Sequence, residues 1–115
     1  MDDEISTNCG MQELVLSQEL CKHVDDLYRN KIILGPMVRI NSLPLRLLCI
    51  DYGIHTVFSE EIIDKKLVKC ARLENLNDDG SIRSVDYVID RTVLFSTIPS
   101  IEKNRLVLQL GKFFC

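Results

Sequence analysis

Three places in the chain put side chains suited to holding a ligand at or just past the end of an apolar, β-rich run. Gly35-Pro36-Met37-Val38-Arg39 follows Ile32-Ile33-Leu34, Ser59-Glu60-Glu61 follows His55-Thr56-Val57-Phe58, and Gln109 lies near the end of Arg105–Leu110. In α/β folds the segment just past a parallel strand is where binding and chemistry take place. Proline there ends the strand, because it cannot donate to the ladder, and glycine tolerates unusual backbone angles. Each position has a plainer reading. Pro36-Met37 can be a strand terminator with core packing, Glu60 an acid in the first turn of a helix, and Gln109 a solvent-facing amide. Arg39 and Arg46 could reach a phosphate or could be solvated surface arginines.

Other chemistries have weaker footing. The five cysteines, Cys9, Cys21, Cys49, Cys70 and Cys115, form no C-x-x-C pair, and only Cys21 has a histidine close by, the single His23. That spacing fits neither a zinc site nor a secreted disulfide framework, so they read as reduced thiols of a cytosolic or nuclear chain. Cys49 and Cys70 are expected to pack as small apolar groups; His23 and His55 read as structural. With 14 basic and 17 acidic residues the formal charge is −3, which argues against gripping phosphate backbones by bulk electrostatics. Lys65, Lys66, Lys69 and Arg72 cluster locally, as cations do at a helix C-terminus. No apolar run approaches the roughly 20 residues of a membrane span, and the acidic start Met1-Asp2-Asp3-Glu4 is unlike a secretory signal. The expectation is a cytoplasmic protein with no membrane segment and no metal.

The elements that must position these residues follow from periodicity. At 115 residues the chain is long enough for one domain. Residues 1–10 lack periodicity and are expected to be disordered. Met11, Leu14, Val15, Cys21, Val24, Leu27 and Tyr28 recur at helical spacing. Ile32-Ile33-Leu34 reads as a strand buried on both faces. A helix follows from Ser42-Leu43-Pro44 to Tyr52, with Leu45, Leu48, Cys49 and Tyr52 on its inner face and Gly53 in the left-handed position beyond it. After the strand 55–58, Ser59 reads as an N-cap with Glu60 and Glu61 in the first turn and Ile62, Ile63, Leu67 and Cys70 as the buried stripe. A polar turn at 75–81 precedes two β-rich runs, Thr92–Thr97 and Arg105–Leu110. The first is expected to pair with the second as an antiparallel excursion, and the second to return to the parallel sheet as its third strand. Three parallel strands cannot close a barrel, so the pattern reads as the opening of a larger fold.

These residues resemble a known family. Asn30–Arg39, Leu43-Pro44-Leu45-Arg46, Asp51-Tyr52-Gly53, Ser59–Asp64 and Asn104–Gly111 are similar, in order and spacing, to the N-terminal part of the tRNA-dihydrouridine synthases. The eukaryotic cytoplasmic branch acting on the tRNA D-loop fits best. The resemblance implies an α/β fold, a partial TIM (β/α)8 barrel of about three βα units with a hairpin excursion. That domain covers 30–111, after an N-terminal extension at 1–29 and before a divergent tail at 112–115. It implies FMN as cofactor and NAD(P)H as reductant, with hydride delivered to a uracil flipped out of the tRNA. Pro36, Met37 and Val38 match the loop that packs on the flavin, and Gln109 the glutamine bonded to its ring. Ser59-Glu60, with Arg39 nearby, matches the border of the substrate pocket. The family's proton-donating cysteine lies on a later Asn-x-Gly-Cys-Pro-type loop that has no counterpart here, and Cys115 lacks that motif. The chain is therefore expected to be truncated before its catalytic cysteine and to hold FMN weakly; the alternative is a non-catalytic product acting only through a partner.

Overall fold

A computed structural model describes residues 2–112. The chain divides into two compact units, Met1–Asn30 and Lys31–Cys115. The first is a helix, α1 (Asp2–Tyr28), ending in an exposed Arg29–Asp25 ion pair. Helix begins at Asp2, so the stretch expected to be disordered is helical. Of the expected apolar stripe, Val15, Cys21 and Val24 are exposed and Leu27 is buried, while the side chains of Met11 and Leu14 lie outside the described ones.

The second unit is mixed α/β. Its parallel sheet has the order β1-β2-β6, from β1 (Ile33–Leu34), β2 (Thr56–Ile63) and β6 (Leu106–Gly111). The return of the last apolar run to the sheet as a third parallel strand is as expected. Between β1 and β2 lies α2 (Leu43–Asp51), started by Pro44 in its first turn and followed by Gly53 at φ +100°. β1 is an edge strand, and Ile32 and Ile33 are exposed, so it is not buried on both faces as its apolar run suggested. Helix α2 packs chiefly on β2 rather than on β1, so Ile33 and the half-buried Leu34 are only partly covered.

Two further expectations are corrected. Ser59–Ile63 does not start a helix but continues β2, held by parallel pairing of Glu61 with Gln109, Ile62 with Leu110 and Ile63 with Gly111. The helix starts later, as the short α3 (Asp64–Val68), where the Asp64 carboxylate accepts from the Lys65 N–H at 2.7 Å. Thr92–Thr97, here β5, does not pair with β6. It joins a separate antiparallel sheet of order β3-β4-β5 with β3 (Ala71–Leu76) and β4 (Ile82–Ile89). A single turn of helix, α4 (Pro99–Glu102), leads from this sheet to β6.

The buried set contains Val57, Ile62, Val85 and Phe95, but also Asn41, Arg46, Thr56, Ser59 and Glu102. Sheets of three strands enclose little apolar volume, and hydrogen-bonded polar groups take the most enclosed positions. The inner face of α2 reflects this. Leu48 and Tyr52, expected inside, are exposed, while Arg46, with a solvated surface role as its default, is buried to 1%.

Candidate functional site

Register places the three candidate loops at one end of the parallel sheet. Leu34 sits opposite Val57, and Val57 opposite Leu106, so the three strands are level there and run the same way. Gly35–Arg39, Ser59-Glu60 and Gln109 all lie just beyond that level. A bulge in β2 adjusts the rim: from Phe58 to Glu61 the strand takes one residue more than β6 does from Val107 to Gln109. Bulges of this kind re-aim side chains. The Ser59 hydroxyl fills the gap in the ladder, accepting from the Gln109 N–H at 2.9 Å and donating to the Glu60 carbonyl at 2.8 Å.

The loop after β1 is tied to β2 twice. The Arg39 N–H donates to Glu60 Oε2 at 2.9 Å, with Arg39 itself at φ +66°. The fully buried Asn41 donates from Nδ2 to the Gly35 carbonyl at 2.7 Å and to the Phe58 carbonyl at 2.9 Å. Asn41 Oδ1 is buried with no hydrogen-bond partner among the described residues. Ser59 and Asn41 thus connect all three strand ends.

Beneath the loop lies a buried ion pair. Arg46 Nε donates to Glu102 Oε1 at 2.7 Å and Nη2 to Oε2 at 3.2 Å, both side chains being 1% exposed. Nη1 reaches the Asn41 carbonyl at 3.0 Å and Nη2 the Ser96 carbonyl at 2.6 Å, while the guanidinium stands 5.0 Å from the Phe95 ring centroid. Glu102 also accepts from the Thr97 hydroxyl and the Ile98 N–H. The antiparallel sheet is thereby fastened to the start of α2 and, through Asn41, to the rim.

The sequence-predicted residues fall around this frame. Met37 and Val38 are exposed, 41% and 61%, and Gln109 is half-buried. The backbone N–H groups of Met37 and Val38 and the side-chain amide of Gln109 carry no hydrogen bond among the described residues. Glu60 and Arg39 meet, through the Arg39 backbone rather than its guanidinium. His55 bonds its neighbour Thr56, and Cys49 and Cys70 are half-buried thiols. Cys115, with the rest of the tail after Lys112, lies outside the described residues. Sequence reasoning missed Asn41, the bridging role of Ser59 and the Arg46–Glu102 pair. A polar Asn directly before a Ser-Leu-Pro helix start was the one local signal; the ion pair spans 56 residues and has none. Among the described residues no three His, Cys, Asp or Glu side chains cluster to hold a metal ion, and no helix is long and apolar enough to cross a membrane.

No family model matches the chain. Among curated proteins it is 41% identical over 91 residues to the tRNA-dihydrouridine(20) synthase [NAD(P)+] of Saccharomyces cerevisiae, an alignment that covers 73% of this chain and 23% of the yeast protein. It is 44% identical over 86 residues to the enzyme of the same name from Schizosaccharomyces pombe, covering 73% and 18% respectively. The chain thus spans less than a quarter of the length of either relative. On this similarity the chain belongs to the tRNA-dihydrouridine synthase family.

Proposed function

We propose that residues 31–111 form the opening segment of a flavin-binding TIM barrel. The protein they belong to would reduce a uridine of the tRNA D-loop to dihydrouridine, with NAD(P)H as electron source. The observation that carries this reading is the gathering of the three strand ends into one rim by the Ser59–Gln109, Asn41–Gly35 and Asn41–Phe58 hydrogen bonds. A barrel builds its binding site at that end of its strands.

The residues present fit FMN. The loop at Met37-Val38 offers uncommitted backbone donors, Gln109 offers a half-buried amide, and a Cβ built on Gly35 would meet nothing within 4 Å. Pro36, Met37, Val38 and Gln109 would hold the group, and the flavin, when bound, supplies the hydride. The chain's own residues orient and enclose. Asn41 holds the loop at its fixed height above β2, Ser59 sets the position of the Gln109 backbone, and the Glu60 carboxylate fixes Arg39 and borders the substrate side. Cross-links of this kind between strand ends make the rim stiff, which is what preorganised binding requires.

The test is a chimera. Residues 31–111 replace the matching segment of the S. cerevisiae relative, and the chimera is expressed in yeast lacking its own enzyme, with dihydrouridine in tRNA read by mass spectrometry. Restored dihydrouridine, lost on Gln109→Ala or on deleting the Met37 side chain together with Val38, is expected. A folded, flavin-loaded chimera that leaves tRNA unmodified overturns the reading.

A further inference from the structure

Next to Glu60 a cleft of about 310 Å³ opens between the start of α2 and strand β5. Its lining includes Ser42, Pro44, Arg46, Glu60, Val93 and Leu94. Two of these are charged, and they differ in what they can offer. Arg46 is buried to 1% and neutralised by Glu102, so it presents no charge to a ligand. Glu60 is half-buried; its Oε2 accepts one bond, from the Arg39 N–H, and keeps a second acceptor site, while Oε1 accepts from none of the described residues. The cleft therefore offers a carboxylate acceptor held in place by the loop, a serine hydroxyl that caps no helix N–H, and apolar walls at Pro44, Val93 and Leu94.

Such a lining disfavours a phosphate, because the cation within it, Arg46, is committed to Glu102. It suits a flat group that stacks on apolar walls and turns hydrogen-bond donors toward a carboxylate. If the protein handles RNA, as proposed above and on which this inference rests, that group is an unstacked base read along its Watson–Crick edge. The four bases differ sharply there. Guanine presents two adjacent donors, N1–H and the 2-amino group, which meet a carboxylate side by side. Adenine and cytosine present one amino donor beside a ring nitrogen acceptor. Uracil presents N3–H between two carbonyl oxygens that a carboxylate repels. Charge-assisted paired bonds are the strong ones.

We propose that this cleft binds a guanine base of the RNA, adjoining the uridine to be reduced, with Glu60 as the residue that selects it. The antiparallel sheet β3-β4-β5 thereby contributes to recognition, since its strand β5 supplies one wall of the cleft. The buried Arg46–Glu102 pair, with Arg46 bonded to the Ser96 carbonyl at 2.6 Å, keeps that wall at a fixed distance from α2.

The experiment is an amide-resolved NMR titration of the full chain with GMP, AMP, CMP, UMP and inorganic phosphate, run beside a titration with FMN. GMP is expected to shift the amides of Ser42, Glu60 and Val93–Phe95 and to bind roughly tenfold more tightly than UMP, within what a paired base contact discriminates. Glu60→Gln keeps an oxygen for the Arg39 N–H but loses the paired acceptor, so it abolishes the preference. Val93→Trp fills the cleft from the β5 wall and abolishes the GMP response while the spectrum stays dispersed. Equal responses to all nucleotides, shifts reproduced by phosphate, or a GMP preference surviving in Glu60→Gln each overturn the proposal. FMN shifts at Met37, Val38 and Gln109 without any GMP response reject the guanine site alone. A GMP response without FMN shifts supports the guanine site and rejects the flavin rim.

Discussion

Replacing Arg46 by methionine is expected to be the most damaging conservative-volume substitution in the second unit. The change strips Glu102 of its bidentate partner and leaves a carboxylate, 2% exposed as a residue, without its cation. Breaking a buried ion pair from one side costs about 3–5 kcal/mol, because the remaining charge is desolvated and unanswered. The Asn41 and Ser96 carbonyls lose their guanidinium donors as well, each such bond contributing about 1.5–3 kcal/mol. These losses overlap, so the working figure is about 4–6 kcal/mol, at or below the sum of the lower bounds. A domain of this size has about 5–15 kcal/mol in total, so the variant sits near the edge of folding. Urea unfolding followed by far-UV circular dichroism measures it, with an unchanged m value showing that stability alone has moved. Because the pair is enclosed, the loss persists at high salt. The double variant Arg46→Met with Glu102→Leu removes the stranded charge and is expected to be more stable than Arg46→Met alone. Two results refute the reasoning: a loss below about 1 kcal/mol for Arg46→Met, or singles that simply add in the double variant.

Three further outcomes are expected. Asn41→Ala lowers stability by about 1–3 kcal/mol by abandoning the Gly35 and Phe58 carbonyls, and Asn41→Asp lowers it more, since a carboxylate then faces both; thermal melts rank the two. Gly53, at φ +100°, has open space around its Cβ position, so Gly53→Ala costs about 1–2 kcal/mol through backbone strain alone, and Gly53→Val costs more in the same melt. In the turn before β4, hydrogen bonds from the Ser81 hydroxyl and N–H hold the Asp79 carboxyl below its ordinary value. The folded chain therefore takes up this proton less readily than the unfolded one, so the turn is fully supported above the ordinary aspartate value and loosens as pH falls through the lower folded one. Carboxyl NMR should show Asp79 titrating below a free aspartate, and Ser81→Ala should move it back up.

How much of the structure is legible in the sequence depends on the range of the interaction. α2, its proline start and Gly53 are set by neighbours in sequence, and they can be read there. The strand-end rule also brings Pro36-Met37, Glu60 and Gln109 to one rim from the sequence alone. Ser59–Ile63 misleads because Ser-Glu-Glu before an apolar pair is equally an N-cap signature and a bulged strand. Only pairing with Gln109–Gly111, some 50 residues away, decides between them. β3 and β4 escape notice because polar residues fall on adjacent positions and so on both faces, as in Glu74-Asn75 and Arg83-Ser84, which breaks the alternation. Arg46 reads as a surface residue until Glu102 is brought to it from 56 residues downstream.

The central claim, one ligand-binding rim shared by three parallel strand ends, is tested most directly by mapping where FMN touches the chain. In an amide-resolved titration, shifts confined to Met37, Val38, the Ser59-Glu60 bulge and Gln109 are predicted, saturating together with one dissociation constant. Shifts that fall on β3, on α1, or on one of the three loops without the others would contradict it.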